Sequence, residues 1–367
     1  MAKYRNMTAG DPAPWFKQRT LANPKFNFDS IGGRYAVLCF FGSASVPQTE
    51  AILKAVAADP SFDDVKASFF GVSNDKADEA RLTERIPGIR FFLDFDGMVA
   101  GLFGALPVDA QQGGKMTVRP IWVILDPTLR VLKVFEFATS SVEVVLSYVK
   151  SLPPPQRFAG IELQAPILVL PNVFEPEFCQ KLIGLYEKHG GVESGFVREV
   201  DGKTVKVSDH AHKRRKDYDI IEEDVMTETR NRIHRRVVPE IAKVHQFHVT
   251  RMERYIVACY AAEDEAHFNA HRDNTTSGTA HRRFAVSINL NDDFDGGEVS
   301  FPEYGPRSFK APKGGAVVFS CSLLHAVSKV TRGRRYAFLP FLYDDAAARI
   351  REENNKFLGE GIGSYNT

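Results

Sequence analysis

A His-x-Asp pair in an extended segment can do something the same residues in a helix cannot. At His271-Arg-Asp273, side chains two apart leave the same face of a strand, so an imidazole and a carboxylate converge on a single ion. His325, in Ser322-Leu-Leu-His-Ala-Val327, offers a second imidazole from a distant segment. Two neutral imidazoles and one carboxylate on one face of a divalent ion leave its remaining positions open, a donor set suited to ferrous iron. Arg335 stands ten residues after His325, in Val330-Thr-Arg-Gly-Arg-Arg-Tyr336. A co-substrate bearing two carboxylates needs one end chelated by the metal and the other anchored. A guanidinium suits the anchor because it pairs with a carboxylate through two parallel hydrogen bonds. Arg332 and Arg334 compete with Arg335 for that role, and a surface turn is the bland alternative for His271 and Asp273.

Such residues need strands to hold them, and the second half of the chain has the pattern. Short apolar runs at Met252–Tyr260, Phe284–Leu290, Glu298–Phe301, Arg307–Lys310, Ala316–Phe319 and Tyr336–Tyr343 are separated by Gly and Asp turns. That spacing predicts a double-sheet jelly roll. Two helices are expected before it, Phe174–His189 and Glu223–His245, from their apolar periodicity. The stretch between them, Arg198–Asp217, is charged and reads as irregular, either a solvated excursion or a substrate lid with His212, Arg214 and Arg215 meeting an acidic group. His267 reads as a pocket-rim residue and His281 as a loop residue, while Arg283 and Asn289 are candidates for the barrel interior.

The first half alternates strand and helix signals: strands at Arg34–Phe41, Val65–Val72 and Ile89–Phe95, helices at about 47–57 and 76–84, then a hairpin Ile121–Leu125/Val131–Phe137 and a closing helix Ser141–Ser151. This is the order of an α/β sandwich. Ser151-Leu-Pro-Pro-Pro-Gln156 stops that helix and stiffens the chain beyond it. The expected organisation is therefore α+β in two domains, 1–155 and 161–367, joined by a linker at 156–160.

Ile256-Val-Ala-Cys-Tyr260, His271-Arg-Asp-Asn274, the Asp295-Gly-Gly-Glu298 turn and His325-Ala-Val327 with Gly333-Arg-Arg-Tyr336 together resemble the prolyl 4-hydroxylase branch of the iron(II)/2-oxoglutarate oxygenases, over about residues 165–345. The resemblance implies a double-stranded β-helix with flanking helices, Fe(II) held by His271, Asp273 and His325, and 2-oxoglutarate anchored by Arg335. It also implies a phenol, Tyr260, near the co-substrate carboxylate, although Tyr260 reads equally as core. The implied reaction couples O2 and oxidative decarboxylation of 2-oxoglutarate to C–H hydroxylation, with ascorbate as an accessory reductant. Presence of Asp273 favours hydroxylation over halogenation. The substrate stays open between a prolyl or other peptidyl residue and a small molecule.

Gly10-Asp-Pro-Ala-Pro-Trp15 and Arg119-Pro-Ile-Trp-Val-Ile-Leu-Asp126 resemble the peroxiredoxin family, which is thioredoxin-like, over about residues 8–155. Pro120 matches the cis-proline position of that fold. The family's peroxidatic cysteine belongs at the strand-to-helix turn, which here reads Gly42-Ser-Ala-Ser-Val-Pro-Gln-Thr-Glu50. Thiolate chemistry needs a partly exposed, activated Cys, and Cys39 lies inside an apolar run. This half therefore reads as a non-catalytic scaffold, dimerisation or presentation module.

Composition adds exclusions. With 47 basic and 46 acidic side chains the formal charge is +1, which gives no field for nucleic acid or an anionic membrane. Four scattered cysteines do not read as a disulfide framework, and the N-terminus has no apolar signal core, so a cytoplasmic setting is expected. A homodimer is compatible with all of this. Two other readings remain: a degenerate metal-binding sensor or scaffold, and a thioredoxin-like redox protein.

Overall fold

The computed structural model describes residues 3–109, 117–359 and 362–365. They form two compact units, Met1–Gln164 with Pro302–Gly305, and Ala165–Phe301 with Pro306–Thr367. Among the described residues no helix is long and apolar enough to cross a membrane.

In the first unit, five strands lie in the order Ile89–Leu93, Ala67–Ser73, Tyr35–Gly42, Ile121–Leu125, Val131–Glu136. The first three are parallel, and the last two join antiparallel. Tyr35–Gly42 is apolar at nearly every position because both of its faces are covered. Ala36, Leu38 and Phe40 enter one core with Phe70, Phe92 and Phe103. Val37, Cys39 and Phe41 enter the other with Ile52, Trp122 and Val145. The helices Pro47–Ala58 and Ser141–Ser151 supply the second core, giving the expected thioredoxin-like sandwich. Two local expectations fail. Only Lys76–Ala80 is helical, as a 3-10 turn, with Asp75 accepting from the Ala77 amide at 2.9 Å. Pro120 does not follow a cis bond; the cis peptide is Ile86–Pro87. Arg119 is instead drawn straight into its strand, its amide on the Ala105 carbonyl at 2.7 Å and its guanidinium on the Gly104 carbonyl at 2.8 Å.

The second unit is a double-sheet jelly roll with flanking helices. Its larger sheet runs Arg251–Glu253, Phe341–Tyr343, Phe284–Asn289, Arg334–Phe338, Ile256–Ala261, Lys216–Asp219, Val192–Glu193, with Ala316–Ser320 added beside Phe284–Asn289 and Leu168–Leu170 beside Ala316–Ser320. The smaller runs Lys213–Arg214, His267–His271, His325–Val327, Val299–Ser300, Ser308–Phe309. Alternation sorts the larger sheet into two faces. Val257, Cys259, Val286, Ile288, Tyr336 and Phe338 pack with Phe178, Leu182, Ile233 and Ile241 of the helices. Their neighbours, Tyr260, Ser287, Asn289, Arg335 and Phe319, therefore occupy the opposite face.

Three predicted elements are broken where the backbone forbids continuity. The second long helix is two, Glu223–Arg236 and Val238–His245, because Pro239 has no N–H to continue the ladder. Met252–Tyr260 is interrupted at Arg254, whose φ is 66°, and Tyr336–Tyr343 is interrupted at Pro340, whose carbonyl accepts from the Val286 amide at 3.1 Å. The stretch expected to be irregular is ordered: Phe196–Val200 and Lys203–Val207 form a hairpin, after which Lys213–Arg214 and Lys216–Asp219 join the two sheets.

All four cysteines are buried and unpaired. Burial raises the thiol pKa of Cys39 well above its ordinary value and that of Cys179 to about 11. A thiol reagent such as DTNB should therefore titrate no cysteine in the native protein and all four after denaturation. A fast-reacting native thiol would revive the redox reading.

Candidate metal centre and anion pocket

His271 ends the strand His267–His271 and pairs directly across it with His325, which opens His325–Val327. Asp273 follows two residues on, its amide tied to the Cys321 carbonyl at 2.9 Å. His271 Nε2 lies 3.5 Å from Asp273 Oδ1 and His325 Nε2 3.4 Å from Oδ2. One donor atom from each of the three falls within 4.8 Å of the others. Both imidazoles are oriented alike. Nδ1 of His271 donates to the Asn269 carbonyl at 2.8 Å, and Nδ1 of His325 to the Leu323 carbonyl at 3.0 Å. A carbonyl only accepts, so each ring keeps its Nε2 lone pair for the shared point.

Aromatic rings fix the two imidazoles further. Phe268 stacks on His271 with centroids 3.5 Å apart, and Phe319 lies 4.6 Å from His325. Phe319 sits on the face of the larger sheet that carries Tyr260 and Arg335, so that face looks towards the three ligands. Burial, and secondarily His271, lowers the pKa of His325 to about 4. Burial opposes the charge on Asp273, but His325 and His271 outweigh it and hold the carboxyl below its usual value. A carboxylate and two imidazole Nε2 atoms aimed at one point fit a divalent ion with open positions.

Arg335 is 2% exposed. Its Nε donates to Asn289 Oδ1 at 2.9 Å and its Nη2 to Ser287 Oγ at 2.7 Å. Nη1 is buried without an acceptor, and the side chain's described partners are all uncharged. Burial lowers its pKa. A fixed cation with one unsatisfied donor is the expected form of a carboxylate anchor. Gly297 permits the approach of this side chain: at φ +68°, a Cβ there would lie 2.9 Å from Arg335 Cδ. The competing arginines face outward, Arg332 to Asp295 and Arg334 to Glu263.

Tyr260 is directly opposite Arg335 across paired strands, with the Arg335 guanidinium carbon 5.3 Å from its ring centroid. Its phenol oxygen accepts from Arg215 Nη1 at 3.2 Å. Arg215 is therefore no lid residue. It is buried, and its fork grips Asp217 through Nε to Oδ1 at 2.7 Å and Nη2 to Oδ2 at 2.6 Å. Arg214 is no lid residue either, since it donates to the Asp264 carbonyl at 3.0 Å. Of the three residues assigned to a lid, His212 alone reaches the centre, its ring 6.5 Å from that of His271. His267 is buried between the Glu265 and Ala211 carbonyls. His281 is buried beside Glu253, 3.1 Å away. Asn289 is interior as expected, whereas Arg283 turns back to the Ala280 carbonyl.

Sequence reasoning missed the buried cluster of Lys213, Arg215, Asp217 and Arg254. Burial, then Arg215, pushes Lys213 down to about 5, and Arg254 is lowered to about 10 for the same reasons. The signal was the period of two in Lys213-Arg-Arg-Lys-Asp217, which sends residues 213, 215 and 217 to one side.

Residues 255–343 match the family model of the 2OG-Fe(II) oxygenase superfamily. A PKHD-type hydroxylase of Cupriavidus metallidurans is 39% identical over 80 residues, covering 19% of this chain and 35% of that relative. The chain thus spans about a third of the length of the curated relatives it matches. Among solved structures, a prolyl hydroxylase from Trichoplax adhaerens in complex with a hypoxia inducible factor oxygen degradation domain peptide fragment is 18% identical, covering 49% of this chain and 84% of that chain with a TM-score of 0.39. A peroxidoxin, BcpB from Mycobacterium tuberculosis, is 21% identical, covering 40% and 99%, with a TM-score of 0.33. The C-terminal unit carries a 2OG-Fe(II) oxygenase segment.

Replacing Asp217 by Asn should strand the Arg215 charge and cost roughly 3–5 kcal/mol at pH 7. Arg215 and its neighbouring cations hold the Asp217 carboxyl at about 2 against the opposing effect of burial. Its folded pKa is depressed, so its stabilisation is complete above about pH 4, the unfolded value, and disappears as pH falls through about 2. Urea unfolding at pH 7 and pH 3 should show the variant's deficit shrinking with acid. A deficit independent of pH would remove the ion pair as its cause.

Proposed function

We propose that this protein is a 2-oxoglutarate-dependent hydroxylase in which His271, Asp273 and His325 hold Fe(II) and Arg335, with Tyr260, anchors 2-oxoglutarate. One observation carries the reading: a buried guanidinium with an unsatisfied Nη1 on the sheet face that looks towards three converging ligands. A metal site alone fits many roles. A metal site plus a buried anchor for a second anionic group fits a co-substrate with two carboxylates.

When bound, the ferrous ion supplies the chemistry in which 2-oxoglutarate, O2 and a substrate C–H yield succinate, CO2 and a substrate hydroxyl. The chain's own residues do the rest. Asp273 contributes the anionic ligand, and Nδ1 hydrogen bonds from His271 and His325 to backbone carbonyls aim their Nε2 atoms at the shared point. Arg335, braced by Ser287 and Asn289, fixes the anchored end of the co-substrate and thereby the orientation of the other. Phe268, Phe301 and Phe319 line the imidazoles and keep water away from them. The hydroxyl acceptor we propose is a prolyl or other peptidyl residue, or a small molecule with a comparably accessible C–H. The PKHD-type relatives are themselves named hydroxylases. Ascorbate as reductant, a cytoplasmic setting and a homodimer accord with this chemistry.

Asp273→Ala should lower metal affinity and abolish succinate formation from 2-oxoglutarate, because it deletes the one anionic ligand of the three. Arg335→Ala should keep metal binding and weaken 2-oxoglutarate by about 1.5–3 kcal/mol, the worth of hydrogen bonds to a charged group. Metal titration, succinate assay and calorimetry with 2-oxoglutarate separate the two effects. Wild-type succinate yield from Asp273→Ala would falsify the ligand assignment.

A further inference from the structure

We infer that Arg215 is a positioning residue that turns the Tyr260 phenol into a hydrogen-bond donor for the anion held by Arg335. The inference rests on the proposed 2-oxoglutarate site and adds a second tier to it. Lys216 pairs with Cys259 on one side of the central strand, and Arg335 pairs with Tyr260 on the other. Arg215, one residue before Lys216, therefore continues the row Arg215–Tyr260–Arg335 across a single sheet face. Guanidinium carbons of Arg215 and Arg335 lie 5.6 and 5.3 Å from the one phenol ring.

A phenol both donates and accepts, and left to itself a buried one could use either capacity towards a ligand. Here Arg215 Nη1 occupies an acceptor lone pair. A guanidinium has no acceptor atom and cannot receive the phenolic proton. That proton must point elsewhere, and no acceptor for it appears among the described residues. Two buried donors without acceptors, Tyr260 Oη–H and Arg335 Nη1–H, thus stand on cross-strand partners. Together they specify an oxyanion.

Arg215 can hold this orientation because it is itself immobilised. Asp217 takes two of its hydrogen bonds and Ser194 Oγ accepts a third at 3.1 Å. Ser194 donates to Asp217 Oδ2 at 2.5 Å and accepts from Lys213 Nζ at 2.8 Å. Arg215 and Lys213 are buried and Asp217 and Ser194 partly so, which limits competition from water. Lysine at 215 would keep the charge opposite Asp217 but, as a point charge on a flexible stem, could not span both Asp217 and the phenol.

The test is a double-mutant cycle read by calorimetry: 2-oxoglutarate titrated into Fe(II)-loaded protein without oxygen. Wild type, Arg215→Lys, Tyr260→Phe, the double variant and Arg335→Met are compared, with circular dichroism and metal affinity measured on each. Arg215→Lys and Tyr260→Phe should each weaken 2-oxoglutarate by roughly five- to tenfold, the effect of about one hydrogen bond, and the double variant no further. Metal affinity should stay within about twofold of wild type, since one hydrogen bond to the co-substrate is all that changes. Losses that multiply in the double variant would mean a merely structural Arg215, and wild-type affinity in Arg215→Lys would overturn the inference outright. If Arg335→Met also binds 2-oxoglutarate like wild type, the co-substrate site itself is misplaced, a failure distinct from that of Arg215. Should Arg215→Lys not fold, non-additivity is measured with Asp217→Glu, which keeps the charge and shifts the fork.

Discussion

Two guanidinium groups on one buried phenol are the constraint around which the C-terminal unit is organised. Charges of like sign repel, and more strongly as burial lowers the local dielectric. The structure resolves half of this internally. Asp217 neutralises Arg215, whose pKa is raised by Asp217 and Tyr260 despite the opposing effect of burial. Arg335 has neutral hydrogen-bond partners among the described residues, so no carboxylate of the chain offsets the cost of burying its charge. A fold tolerates such a group only if its backbone cannot relax away from it. The helices Pro176–His189 and Glu223–Arg236 supply that rigidity by packing the reverse side of the same strands.

The same alternation that buries Val257, Cys259 and Phe338 against the helices sends Tyr260 and Arg335 the other way. Core and pocket are therefore one decision. A register slip of one residue would bury the guanidinium among the helices and expose the apolar set. The smaller sheet repeats the logic with different chemistry: direct pairing of His271 with His325 places two rings 4.2 Å apart, and a period of two brings Asp273 to the same point. Neither sheet carries the whole arrangement alone, because one holds the cluster of His271, Asp273 and His325 and the other holds Arg335.

How much of this could be read from residues depends on which signals are local. His271-Arg-Asp273 is legible because side chains two apart in an extended segment leave one face, although the strand ends at His271 and Asp273 is held in the following turn by its amide on the Cys321 carbonyl. Arg335 is legible only as one of three candidates, by its spacing from His325; the ion pairs of Arg332 with Asp295 and Arg334 with Glu263, which set those two apart, depend on partners distant in sequence. Arg215 was illegible because a run of four basic residues, Lys213 to Lys216, has the composition of a solvated loop. Its burial depends on Asp217, Ser194 and Tyr260, partners brought by three separate strands. Boundaries failed where one backbone atom decided them, as at Pro239 and Arg254. Outlines of both units survive because apolar periodicity is summed over many residues, while the lid reading of Arg198–Asp217 rested on polarity, which does not distinguish exposed charges from paired ones.

The N-terminal unit has a different electrostatic environment at its first strand-to-helix turn. In the family that it resembles, the turn between Tyr35–Gly42 and Pro47–Ala58 would present a thiolate, an anion that needs donors from the helix start. Here two carboxylates, those of Asp75 and Asp78, stand beside that turn. The Ala44 amide donates to Asp78 Oδ2 at 2.7 Å, Ser73 Oγ donates to the same oxygen at 2.6 Å, and Ser43 Oγ donates to Asp75 Oδ2 at 2.7 Å. Arg81 pairs with both Asp75 and Asp78. A cysteine placed at this turn would stand near two carboxylates, and its thiolate would be disfavoured by like charge.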